Sequence, residues 1–193
     1  MTLGGFDAPD DERPSDRRAR VIRTLSPQTF LEVTDEEVDR ATRYDRPLSV
    51  LMGHLEGVLR IRKAEGVKAS EEVVAAAVER ISHGLRKIDR IGRLGIGEFA
   101  VLLPETRLGN AEIAASRLRD SFACEPIETR AGPRPLSLNI GISTVNPRMR
   151  NAKTFLMLAC AELRTARRAG NGEISVIPPD LVRVSVARNA SIH

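Results

Sequence analysis

Two short apolar runs, 91–94 and 99–103, flank Gly95-Ile96-Gly97-Glu98 and constrain the chain more than any other segment. Glycines permit the positive φ values a tight hairpin needs, so the two runs are expected to pair as antiparallel strands, with Pro104 ending the second.

Other apolar patterns supply the partners of that hairpin. In Pro27–Tyr44 the residues Phe30, Leu31, Val38 and Ala41 recur at roughly helical spacing, with acids early and arginines late as the helix dipole favours, which predicts an entry helix. Arg46-Pro47 then opens LSVLM (48–52), a run with the length of a buried strand. After a looser stretch, Ser70 is expected to cap a helix whose stripe is Val74, Ala77, Val78, Ile81, Leu85 and Ile88. A third helix, 108–123, would carry Ile113, Ala114, Leu118 and Phe122 on one face, and beyond a Gly-Pro loop residues 136–145 alternate as a strand does. A last helix, 153–169, is closed by Gly170 before a short strand at 173–177 and Pro178-Pro179. This order predicts an α+β fold, a single sheet with helices packed on it, related to the ferredoxin-like split βαβ family.

A length of 193 residues with 41% apolar content suits one core with short tails. Residues 1–19, rich in Gly, Pro, Asp and Arg without apolar periodicity, read as a flexible arm; 20–178 would be the folded domain and 179–193 a loose tail. The net charge of +4 suits an anionic ligand. Nucleic acid is disfavoured, because only 3% of residues are aromatic and the chain has neither zinc-finger spacing nor an RNA-binding signature. Cys124 and Cys160 form no metal-like pair and are expected to be reduced, mostly buried thiols of a cytoplasmic protein. The N-terminus offers no apolar signal stretch, and no segment approaches the roughly 20 apolar residues of a membrane span, so no membrane association is expected.

RLGIGEFAVLLPET (93–106) resembles the signature hairpin of GGDEF (diguanylate cyclase) domains, a Gly-Gly-Asp/Glu-Glu-Phe turn followed by an apolar strand ending in Pro. Upstream, ATRYDRPLSVLM is similar to the family's Arg-Pro-Leu-Ser entry to its first strand; downstream, LSLNIGIS and LRTARRAGN are similar to its Ser-Ile-Gly strand and closing helix end. These matches run from about residue 24 to 178 in the family's order. The resemblance implies a domain that makes cyclic di-GMP, a bacterial second messenger, from two GTP molecules with two divalent cations, chemistry that needs hard oxygen ligands.

At those positions the sequence departs from the pattern. The first-strand Asp-x-Asp falls on His54-Leu55-Glu56, and in the turn, Gly95-Ile96-Gly97-Glu98, the metal-binding third residue falls on Gly97. Imidazole suits Mg²⁺ poorly and glycine has no side chain, so no Mg²⁺, no other cofactor and no cyclase activity are expected. Glu56 and Glu98 survive nearby, though neither matches a main metal-contacting position, and an exposed turn Glu is more often simply solvated. His54 may be read equally as a hydrogen-bonded histidine without chemistry. The guanine-contacting Asn and Asp of the family align with Arg62 and Glu71, and its phosphate-facing Lys and Arg with Arg167 and Asn171, where Arg167 could instead only close the last helix turn.

By contrast, Arg86-Lys87-Ile88-Asp89 fits the family's product-binding Arg-x-x-Asp pattern, five residues before the signature turn, and a third family arginine aligns with Arg117. A guanidinium fork can take guanine O6/N7 or a phosphate, and a carboxylate can accept from guanine N1 and N2. The plain alternative is an exposed i,i+3 ion pair near a helix end, worth only about 0.2 to 0.5 kcal/mol. Three functions follow: an inactive domain that receives cyclic di-GMP through Arg86, Asp89 and Arg117 and signals to an unnamed protein partner; a nucleotide-independent interaction scaffold; and a cyclase with residual activity. A ligand with two guanine faces could also bridge two copies into a homodimer.

Overall fold

The computed structural model describes residues 24–145 and 151–177; the predicted arm at 1–19, the start of the domain at 20 and the tail at 179–193 lie outside them. The chain runs α1 (Pro27–Tyr44), β1 (Leu48–Glu56), α2 (Val58–His83), β2 (Arg90–Arg93), β3 (Glu98–Pro104), α3 (Leu108–Cys124), β4 (Ser137–Thr144), α4 (Ala152–Ala169) and β5 (Ile174–Val176). The five strands form one mixed sheet in the order β2-β3-β1-β4-β5, antiparallel except for β4 and β5. Helices cover both faces, as the α+β reading required.

Side chains alternate between those faces because a strand's period is two. Leu51, Leu55, Val101, Leu103, Leu138, Ile140 and Ile142 pack with α2 and α3. Val50, Met52, Ala100 and Leu102 meet Phe30 and Val38 of α1 and Phe155 and Leu163 of α4 on the other side. Gly141 of β4 lets α4 lie close: a Cβ there would come within 2.1 Å of the Leu163 nitrogen and 2.3 Å of the Ala159 carbonyl oxygen. That close approach fixes the height of α4 over the sheet, and with it the arginines of its last turn.

Several expectations need correction. β1 continues four residues past Met52, because it stays paired with β3 through His54 and with β4 through Glu56. The stretch before Ser70 is helix, interrupted at Gly66 (φ 90°, ψ −177°), and Ser70 is no N-cap; its hydroxyl donates to the Val67 carbonyl at 2.8 Å. The charges that dominate 59–69 hide the helical stripe there. At the other end α2 stops at His83, so Ile88 lies beyond the helix and is 45% exposed. α1 has no acid in its first turn; Ser26 caps it instead, accepting the Thr29 N–H. In α3 Ala111, Ala115, Leu118 and Phe122 are buried, while Ile113 is 61% exposed. Neither cysteine is fully buried: Cys124 is exposed, and Cys160 is half-buried, which pushes its thiol pKa up.

Gly141→Ala is predicted to destabilise the domain by about 3 kcal/mol or more, since the clash is with helix backbone that no rotamer change relieves. Urea melts of the two proteins measure this.

Candidate functional site

The predicted site residues fall into two groups, placed at opposite ends of β3. At its start, β1 pairs His54 with Glu98 on one edge and with Asn139 of β4 on the other. His54 is 4% exposed. Its Nδ1 lies 3.1 Å from Glu56 Oε1 but off hydrogen-bond geometry, so it makes no hydrogen bond among the described residues. Burial holds the imidazole below its ordinary pKa; Glu56 and Glu98 pull upward, and Arg167 adds to the downward push.

Glu56 Oε1 accepts from Arg167 Nε at 2.9 Å and from Asn139 Nδ2 at 3.3 Å. Asn139 is itself fixed, its Oδ1 accepting the Glu173 N–H at 2.8 Å. The carboxylate at the family's metal edge is thus held by an internal cation. Arg164, Arg167, Arg168 and Asn171 continue from it around an open cleft of about 390 Å³. Arg167 therefore does more than close a helix turn, because its Nε reaches back to the sheet.

Of the turn glycines only Gly97 adopts a left-handed φ, 71°, and its carbonyl accepts the Leu55 N–H at 2.8 Å. A Cβ at 97 would stand 3.2 Å from both the Leu55 carbonyl oxygen and the Val58 side chain. An acidic side chain at this position would start from a strained and crowded backbone. A neutral buried imidazole, a glycine and a carboxylate already paired with arginine are a donor set that does not fit two Mg²⁺ ions. Glu71 is also engaged: Arg93 donates to both of its oxygens at 2.6 Å, holding the carboxyl below its usual range. Arg62, in the part of α2 before Gly66, adds to the positive field on Glu71.

At the far end of β3, the Arg86–Asp89 segment is a turn, not the expected i,i+3 helical pair. The Asp89 N–H donates to the Arg86 carbonyl at 3.1 Å, and the Arg86 N–H donates to Asp89 Oδ2 at 2.6 Å. Backbone thus joins the two residues and leaves the guanidinium outside that bond. Asp89 Oδ1 is buried and has no hydrogen-bond partner among the described residues, and burial raises the carboxyl's pKa against the pull of Arg86 and Arg90. Arg86, Asp89 and Arg117 line one cleft of about 170 Å³, with Thr106, Asn110 and Ile113.

The sequence profile described as "Diguanylate cyclase, GGDEF domain" matches residues 26–173. The chain belongs to the GGDEF family. It is 27% identical over 141 residues to the probable diguanylate cyclase DgcC of Escherichia coli (strain K12), covering 72% of this chain and 38% of that protein. Among solved structures it is similar to the GGDEF domain of YfiN (TpbB) from Pseudomonas aeruginosa, with a TM-score of 0.76 and 25% identity over 82% of this chain and 99% of that one. It shares its fold with the GGDEF domain of DgcB from Caulobacter crescentus in complex with c-di-GMP, with a TM-score of 0.74 and 14% identity over 83% of this chain and 96% of that one. The chain spans well under half the length of DgcC. Among the described residues no helix is long and apolar enough to cross a membrane.

Sequence reasoning missed Arg93, Asn139, Arg164 and Arg168. Asn139, a polar residue inside the strand pattern LSLNIGIS, was the one with a visible signal.

Asp89→Asn is predicted to be more stable than the native domain at pH 7. Because burial raises the folded carboxyl's pKa, the folded state keeps its proton to higher pH than the unfolded state does, and stability falls as pH rises from the unfolded toward the folded pKa and stays lower above it. The gap should narrow as pH is lowered toward the ordinary carboxyl range, where Asp89 is protonated in both states. Urea melts at pH 7 and near pH 4 measure it.

Proposed function

We propose that this GGDEF domain is a cyclic di-GMP receptor without cyclase activity, acting in cytoplasmic second-messenger signalling by passing its ligand state to a protein partner. The observation that carries the reading is the convergence of Arg86, Asp89 and Arg117 on one cleft, with Asp89 Oδ1 lacking a partner among the described residues. Two arginines and one acceptor line that cleft. The guanidinium groups can take guanine O6/N7 or a ligand phosphate, and the free carboxylate oxygen can accept from guanine N1 or N2. A buried acceptor without a donor carries a desolvation cost that an N–H from a ligand would offset.

Inactivity is supported by the opposite end of β3. In-line phosphoryl transfer depends on cations set among oxygen ligands, and here Gly97 supplies none, His54 supplies an imidazole, and Arg167 already neutralises Glu56. The Glu71–Arg93 fork further removes an acceptor that a guanine base would use.

Two measurements test this. Incubation of the purified chain with GTP and Mg²⁺ should yield no cyclic dinucleotide; product formation would contradict the claim of inactivity. Cyclic di-GMP titrated by calorimetry should bind the native chain, and Arg86→Ala/Asp89→Ala should weaken it by about 100-fold or more, the scale expected when a charged fork and its acceptor are both removed. Equal affinity in the two proteins would move the ligand elsewhere, and absence of binding in both would favour the scaffold.

A further inference from the structure

Ile113 is out of place for a core residue. Its helix buries Ala111, Ala115, Leu118 and Phe122, while Ile113 stands 61% exposed on the wall of the cleft that holds Arg86 and Asp89. A single exposed isoleucine is ordinary on a protein surface. What distinguishes this one is its setting. Asn110, Ile113, Ala114 and Arg117 all line the same cleft, and their spacing of three, one and three residues puts them on one face of α3 over two turns. A neutral amide thus lies one turn before the isoleucine and a guanidinium one turn after it. Asp89, whose buried Oδ1 has no hydrogen-bond partner among the described residues, lines the same cleft.

Polar groups fix the orientation of a ligand in such a site, while apolar surface supplies much of the contact. Arg86, Asp89 and Arg117 address the edges and phosphates of a guanine nucleotide, and none of them offers a hydrocarbon surface to the flat face of the base. Ile113 does so. Its branched side chain is stiff at χ1, so little rotamer entropy is lost when a ring covers it.

We infer that Ile113 is a ligand-contact residue of this cleft, its side chain covering one purine face of cyclic di-GMP while Arg117, one turn on, engages the same nucleotide. The inference rests on the receptor reading above and extends it from charged groups to a hydrophobic platform on α3. Contact of this kind depends on apolar area and is indifferent to the exact branching of the side chain. Its exposure also means that replacing Ile113 removes no core packing.

Calorimetric titration of cyclic di-GMP into the native chain, Ile113→Asn, Ile113→Leu and Arg86→Ala tests it, with thermal melts confirming that each variant is folded. Ile113→Asn should weaken binding about tenfold, and Ile113→Leu should remain within about threefold of native. Native affinity in Ile113→Asn, with binding lost in Arg86→Ala, would overturn the platform and leave the receptor standing. Ile113→Leu as weak as Ile113→Asn would also overturn it, since apolar area would not be the cause. A native chain that fails to bind would overturn both.

Discussion

The domain depends on β1, a strand hydrogen-bonded along both edges and buried on both faces. A strand in that position cannot slip, because a shift of one residue would turn Val50 and Met52 away from α1 and α4 and carry Leu51 and Leu55 out of the opposite core. Its polar end is therefore pinned: His54 must sit between Glu98 and Asn139, and Glu56 must emerge within reach of the last turn of α4. The bond from the Leu55 N–H to the Gly97 carbonyl ties the signature turn to the same strand end. At the other end, the Ser49 hydroxyl donates to the Thr106 carbonyl at 2.7 Å and holds the exit of β3, beside the second cleft. The two sites are thus separated by the length of β3, seven residues or about 20 Å.

The first site has been filled from within. Where the family's chemistry calls for metal cations among carboxylates, this chain sets a guanidinium on Glu56, a second guanidinium fork on Glu71, and a buried imidazole held toward its neutral form. Two of these carboxylates thus have their charge met by arginines of the same chain, while the His54 imidazole stays buried without a partner for its Nδ1 among the described residues. In the second site the reverse holds: Asp89 has an oxygen buried without a partner among the described residues, and that burial pushes its carboxyl pKa up.

Much of the fold was legible because its strands stand out as short apolar runs bounded by turn residues or, at 136–145, as an apolar alternation. The runs at 91–94, 99–103 and 136–145 became β2, β3 and β4 nearly as read, and the bounds of α1 were met at both ends. The first half of α2 was not legible, since its charged residues conceal the stripe and Gly66 breaks the period. Arg86 and Asp89 were found by their offset from the signature turn and Arg117 by its match to a family arginine in the next helix, but the form of the Arg86–Asp89 contact was not, because a backbone turn and a helical i,i+3 pair share the same spacing. Arg93 and Ile113 escaped for a related reason. Their partners are remote in sequence or lie across a cleft, and periodicity carries no information about either.

The most direct test of the proposed receptor function is to map cyclic di-GMP onto the domain by backbone NMR. The account predicts that ligand-induced shifts gather on the 84–89 turn and on the 106–117 face of β3's exit and α3, with His54, Glu56 and Arg167 unmoved. Shifts centred on Glu56, Glu98 and Arg167, and absent from Arg86 and Asp89, would contradict it.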